Sequence, residues 1–456
     1  MIESKINYNL MKASCLYFIL FFVLFFTNRN LEAQTGVKDG SKYGHGQDSI
    51  RCLVNLTLSR DRVKTGNFIE ALNYWRIAFN ECPRSSQNLY VDGAKIYNYL
   101  IGIEKDPARK EALIDTLMII YDRRMNYFDQ KANILGRKGF DLLKYRATNI
   151  SSVEEAYKYL EESINLMKNK SSMTVVDAFM ASTIALYNSG RLSDINVIEN
   201  YSMSSDIINF TLAENPADST AKKVREKIHK NFISSGAPSC QSLAMYFKPN
   251  YQSEKNNVSF LRKLVSYMSD AGCYSDPIYI QASEALYRQE PSALAAFSLA
   301  RLAVINENYS KAVAYYKEAI EKEQSPSNKA EYYYQLSWVT FEKLNDAPTA
   351  RKYALQAINF RRGWGEPYML IGDMYARAVD CFGDEFKKNT VYWAAVDKYN
   401  QAKSEDPSIS EKADERIQIY SAYFPDAEAL FFNGLKVGDQ YKIGCWINEK
   451  TTVKAR

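Results

Sequence analysis

The chain has 456 residues, 46% of them hydrophobic and 24% charged, a balance that excludes an intrinsically disordered polymer. Its formal net charge of +5 is small for this length and comes without a block of like charge, so it carries no electrostatic footprint for nucleic acid. Only two histidines occur, His45 and His229. Both sit in polar stretches, which argues against histidine-dependent catalysis and most metal sites, and nothing calls for a cofactor.

Lys5 and Lys12 precede an apolar run, Ala13–Thr27, and a polar stretch that ends at Ala33. This charged, apolar, polar order is that of a secretory signal peptide over residues 1–33, with cleavage after Ala33. The run is shorter than the roughly 20 residues that a spanning helix needs, so no integral membrane span is expected after cleavage. An uncleaved anchor is the other reading. Cys15 lies near the start of the apolar run, not after it, which rules out a lipidated cysteine there. Export, to a periplasm or an outer-membrane surface, is the expected localisation.

Residues 34–48 are rich in Gly and poor in apolar side chains, and read as a flexible leader. Asp48 and Ser49 can cap the first helix. From Ile50 to Pro83 the pattern is a helix hairpin turning at Gly66. Its second helix spaces Ala71, Trp75, Ala78 and Pro83 four, three and five residues apart. Two further helices follow: Tyr90, Ala94 and Tyr97 share a face on one, and Leu113, Leu117, Ile120 and Tyr121 on the other. Asp106-Pro107 separates them.

In the next pair, Phe140, Leu142 and Leu143 form an apolar face, and Ala156, Leu160 and Ser163 carry the second helix. Ser151 or Ser152 with Glu154 or Glu155 resembles a capping box. Met173–Leu212 is a further pair around Gly190. Ser219–Phe232 is a basic helix, and Ser234–Cys240 is rich in turn formers and marks a boundary. The domains expected are an N-terminal helical array at 49–236, a C-terminal array at 237–424 and an extended tail at 425–456 that caps it.

In the C-terminal array Cys240 opens one helical stretch and Cys273 closes the next, and Pro277–Pro291 is a further helix. Clear repeats follow at Ala293–Pro326 and Glu331–Arg361. The most regular stretch is 366–407. Tyr368, Ile371, Gly372 and Tyr375 lie on its first helix, and Ala395, Tyr399, Ala402 and Pro407 on its second. Eleven added residues around Cys381 interrupt the turn between them. A last amphipathic helix, Ser408–Tyr423, can close the array. The tail holds Gly434, Gly438 and Gly444 and short alternating segments that read as weak strands.

These residues resemble the tetratricopeptide repeat (TPR) pattern of a large residue, Leu, Gly and Tyr, then Ala, an aromatic, Ala and Pro. The match covers about 50–83 and 291–407, weakens between 86 and 290 and is absent from 425 onward. It implies an all-α, helix-hairpin solenoid wound as a right-handed superhelix, with a short non-helical tail. The 34 tyrosines suit the half-dry, half-wet positions of such repeats.

Without the first 33 residues the chain keeps Cys52, Cys82, Cys240, Cys273, Cys381 and Cys445. Six cysteines allow 15 pairings, and an exported chain favours their oxidation. In a repeat hairpin Cys52 starts the first helix and Cys82 ends the second, which makes them neighbours. Cys240 and Cys273 are about one repeat apart. Cys381 in the inserted turn can hold Cys445 of a folded-back tail. No CxxC pair occurs.

The resemblance also implies a concave groove lined by first helices. Its candidate residues are Leu294, Phe297, Arg301 and Ile305, then Glu331, Tyr334, Trp338 and Phe341, then Met369, Asp373 and Arg377. Aromatics mixed with Arg and Asp suit a peptide or helix partner. The Lys and Asn clamp by which some TPR proteins hold a C-terminal carboxylate is missing: Phe297 and Arg301, Tyr334 and Trp338, and Met369 and Asp373 stand at those positions. No P-loop, GxGxxG, HExxH or GxSxG motif occurs, and Glu154-Glu155 and Glu161-Glu162 read as solvated helix faces. The expected function is a non-enzymatic scaffold for a protein or peptide partner in the cell envelope. The alternative is a glycan-binding nutrient protein on a similar frame.

Overall fold

A computed structural model describes residues 41–456; the expected signal peptide and the first part of the leader lie outside the described residues. Twenty α-helices and one two-stranded sheet make up the regular structure among the described residues. The chain divides into two compact units at Phe232 and Ile233.

The N-terminal unit is built from helix pairs. Helix α1 (Gly46–Lys64) packs on α2 (Phe68–Glu81), and α3 (Gln87–Ile103) on α4 (Pro107–Tyr127). Helix α5 (Lys131–Arg146) packs on α6 (Ile150–Met167), and α7 (Met173–Asn188) on α8 (Asp194–Glu214); α9 (Ser219–Ser234) closes the unit. Helix α1 begins at Gly46 with His45 at the cap position. Asp48 is therefore inside the first turn, where its charge favours the helix N-terminus without capping it. Gly66 (φ 78°) supplies the left-handed residue of the α1–α2 turn.

Small residues set how closely these helices approach. Ala71, Trp75 and Ala78 are buried on α2. The Trp75 indole N–H donates to the Leu89 carbonyl at 2.7 Å, and a Cβ on Gly93 of α3 would come within 2.6 Å of the Trp75 ring. On α5 the same device rotates the buried face away from the one expected. A Cβ on Gly139 would meet Leu160 at 2.7 Å, and one on Gly136 would meet Ser163 Oγ at 2.7 Å. With Gly136 and Gly139 turned inward, Leu142 is buried and Leu143 half-buried, while Phe140 is exposed; Lys138 and Asp141 are buried instead. The expected capping box at Ser151 or Ser152 is also corrected. Asn149 caps α6 by accepting the Ser152 N–H at 3.0 Å, which puts both serines inside the helix. A capping box does form on α8, between Ser193 and Asn196.

The C-terminal unit begins with α10 (Cys240–Glu254), α11 (Val258–Asp270) and α12 (Pro277–Gln289). Three hairpins follow: α13 (Ala293–Ile305) with α14 (Tyr309–Lys322), α15 (Pro326–Glu342) with α16 (Ala347–Phe360), and α17 (Glu366–Ala376) with α18 (Glu385–Glu405). The second helices bury Ala312, Tyr316 and Ala319, then Ala350, Ala354 and Ala357, then Ala395, Tyr399 and Ala402. Prolines stand in the first turn of α12, α15, α16 and α17, where a missing N–H costs no hydrogen bond. Helix α19 (Ser410–Ser421) packs on α18.

The eleven residues read as an interruption are mostly helix. Asp384 accepts the N–H groups of Phe386 and Lys387, so α18 starts at Glu385. Thr390 and Val391 are buried; they extend the helix because they have somewhere to pack. Only a 3-10 turn at Ala378–Cys381 and a few residues after it remain irregular.

The tail adds a short helix, α20 (Ala427–Phe432), and strands β1 (Gln440–Lys442) and β2 (Lys450–Thr452). The strands pair antiparallel with Tyr441 opposite Thr451. Ile443, Ile447 and Val453 are fully covered in one core with Val391, Trp393 and Tyr375. The Trp393 indole donates to the Lys454 carbonyl at 2.8 Å, and Lys454 pairs with Asp397 at 2.7 Å. The architecture is an all-α, helix-hairpin solenoid with a short C-terminal tail. Disulfides join Cys52 to Cys82, Cys240 to Cys273 and Cys381 to Cys445, with Cα separations of 6.1, 5.4 and 6.3 Å.

Candidate functional site

The candidate groove residues lie on α13, α15 and α17, the first helices of three successive hairpins. Each helix has one side locked against its partner helix by the small residues described above, and this fixes where its other side chains go. Arg301 on α13 lies 4.0 Å from the centre of the Tyr274 ring and donates to Gln335 of α15 at 2.6 Å. Gln335 in turn donates to Glu331 at 2.8 Å. An Arg–Gln–Glu chain thus links two neighbouring first helices, with the Arg stacked on an aromatic face. Leu294 is partly exposed and Ile305 is 45% exposed.

Tyr334 and Trp338 are one helical turn apart on α15 and both half-buried. Tyr334 meets Trp364 at 5.0 Å between ring centres. Burial, followed by the charges of Glu366 and Glu331, raises its phenol pKa. The Lys343 ammonium sits 5.6 Å from the centre of the Trp338 ring. Asp373 on α17 accepts the Tyr399 hydroxyl at 2.8 Å and lies 3.6 Å from Arg416. Burial raises its pKa against these two opposing contacts. Arg377 pairs with Glu342 at 2.9 Å and covers the Phe341 ring at 4.6 Å.

Three of the eleven residues are buried: Phe297, stacked on Tyr332 at 4.4 Å, Phe341 and Met369. They hold the helices together beneath the face. The surface that remains consists of Leu294, Arg301, Ile305, Glu331, Tyr334, Trp338, Asp373 and Arg377. Gln335 and Tyr274 join it, and Trp364, itself buried, backs Tyr334 from beneath. Gln335 follows Tyr334 in sequence and its role was legible only from the Arg301 contact. Tyr274 and Trp364 lie outside the repeat helices, where periodicity carries no information.

The face offers hydrogen-bonding, ionic and stacking groups. Among the described residues no group of three His, Cys, Asp or Glu side chains could hold a metal ion, and no helix is long and apolar enough to cross a membrane.

The helix pairs and their Ala–aromatic–Ala seams make this a TPR-like fold. Solved structures of TPR proteins are among those it is similar to. One is a tetratricopeptide repeat protein from Parabacteroides merdae, 14% identical over 62% of this chain and 97% of that one, with a TM-score of 0.28. Another is the TPR domain of P58(IPK), 12% identical over 82% and 98% of the two chains, with a TM-score of 0.24. A third is yeast Tom70, 8% identical over 83% and 96%, with a TM-score of 0.29. At these values the similarities assign no partner or process to this chain. No protein-family model and no curated protein matches it.

Proposed function

We propose that the protein is an exported, non-enzymatic scaffold that holds a protein or peptide partner on the face formed by α13, α15 and α17. The observation that carries this reading is the half-buried pair Tyr334 and Trp338, flanked by the Arg301–Gln335–Glu331 chain. Half-covered aromatics beside oriented polar groups bury much area at little entropic cost when a partner arrives. The polar chain fixes orientation, because its Arg is already held against Tyr274 and loses little freedom on binding. Three disulfides support an oxidising compartment, and so a cell-envelope or extracellular location.

The test is crosslinking and recovery of the partner from the native envelope with the unaltered protein and with Tyr334→Ala combined with Trp338→Ala. Loss of one defined partner, with the helical circular dichroism retained, is the expected result. Equal recovery by both proteins would sink the reading. Saturable glycan binding in a direct titration would favour the nutrient-binding alternative.

A further inference from the structure

The N-terminal unit contains a cavity of about 670 Å³, within the range of small-molecule sites. It opens between α3, α5 and the start of α7. Its charge is one-sided. Lys95, Arg124, Arg137, Lys144 and Lys170 line it, against a single carboxylate, Asp141. That carboxylate is already engaged, accepting the Tyr121 hydroxyl at 2.6 Å and the Asn98 amide at 3.2 Å. None of the five cations forms an ion pair with a carboxylate among the described residues.

Two polar groups in the wall lack partners. Arg124 is only 7% exposed, and although its terminal nitrogen reaches Gln130 at 3.2 Å, its Nε has no hydrogen-bond partner. Ser171 is also 7% exposed and its Oγ is unpartnered. It lies just before α7, whose first-turn residues Thr174 and Val175 share the cavity wall. A helix start carries partial positive charge and adds to the cationic field. Burial, and then the charge of Arg137, lower the Arg124 pKa, as expected for a cation crowded by another and lacking an anion. Val91, Phe140, Met167 and Val175 give the cavity an apolar part. Phe140 is exposed and stands one turn after Gly136 on the same cavity wall.

We propose that this cavity binds a small organic anion: a phosphate, sulfate or carboxylate group on an apolar body. The anionic group is held by Arg124 and Arg137 and attracted by the exposed Lys95, Lys144 and Lys170 at the rim. The body rests on Phe140 and Val175. A cavity of this size, with convergent cations and no carboxylate to spare, selects a compact anion over a neutral molecule of the same shape.

The probe is phenyl phosphate, titrated calorimetrically against the full chain, with benzyl alcohol as the neutral control. Saturable one-to-one binding of phenyl phosphate is expected, weakening as salt rises, with none for benzyl alcohol. Arg137→Gln and Lys95→Gln are surface changes that leave folding intact; together they should weaken binding by about tenfold or more. Arg124→Gln should abolish binding, and where that variant loses its helical signal the surface pair decides. No saturable binding of phenyl phosphate overturns the proposal, as does undiminished affinity in the surface pair or equal binding of benzyl alcohol.

Discussion

A Cβ placed on Gly372 would lie 2.4 Å from Cε1 of Tyr399, so the ring of one helix occupies the place where the other would carry a side chain. The Tyr399 hydroxyl is held by Asp373 on the same helix as Gly372, which stops the ring from swinging away. Alanine normally stabilises a helix interior by about 1 kcal/mol over glycine. Gly372→Ala should reverse that sign and cost about 1–3 kcal/mol through overpacking. Urea denaturation measures it. Tyr399→Leu in the same chain should recover part of the loss, and a stabilised Gly372→Ala single variant would contradict the packing argument.

Glu449 fastens the tail to the repeats. It accepts the Tyr375 hydroxyl at 2.6 Å, pairs with Lys398 at 3.0 Å and is bonded by Arg351. Burial pushes its pKa up, but the Tyr375 bond and the charges of Lys398 and Arg351 outweigh this and hold it below the ordinary glutamate value. A depressed folded pKa contributes stability that is present above the unfolded value of about 4.3 and lost as pH falls through the folded one. The β1–β2 amides should therefore lose hydrogen-exchange protection selectively on acidification below about pH 4. Glu449→Gln should weaken docking at neutral pH by about 2 kcal/mol. Exchange rates that ignore both changes would show that the Glu449 contacts do not hold the tail.

Cys52 and Cys82 are both buried and close a loop with a sequence separation of 30. Restricting that loop in the unfolded chain is worth about 3.6 kcal/mol. Replacing both with alanine, or adding reductant, should lower the stability of the N-terminal unit by that order in a denaturant titration. A change smaller than about 0.5 kcal/mol would mean that the bond constrains little in the unfolded chain.

Lys138 is buried on α5, with its ammonium 2.5 Å from Asp122 and 3.0 Å from the Tyr159 hydroxyl. Burial pulls its pKa down, yet these bonds outweigh it and the value lies above that of a free lysine. The associated stability is present below about pH 10.4 and is lost as pH rises through the folded value. Asp122→Ala strands the ammonium and should cost about 1–2 kcal/mol, less than a fully buried pair because the Asp122 carboxylate is half exposed. Adding Lys138→Met to that variant should recover most of it. A double variant as unstable as the sum of the singles would show that the two side chains are not coupled.

The sequence alone determined the helix-hairpin plan, because Ala71–Trp75–Ala78 and Ala395–Tyr399–Ala402 state both the helical period and the small–large–small seam of a close crossing. It also placed the prolines and the breaks, since these act within a few residues of themselves. The direction of the α5 buried face was decided only by tertiary contact. Phe140 is as apolar as Leu142, but Gly136 and Gly139 fit against Leu160 and Ser163, and that fit turns Lys138 and Asp141 inward. The inserted segment became helix for the same kind of reason, since Val391 and Thr390 found a packed site. Which groove residues stay accessible depends on neighbours that no periodic pattern names: Phe297 is covered by Tyr332, and Arg301 is claimed by Tyr274 and Gln335. The cationic cavity was illegible because Lys95, Arg124, Arg137 and Lys170 are scattered along four segments, and only the stacking of helix pairs brings their charges around one space.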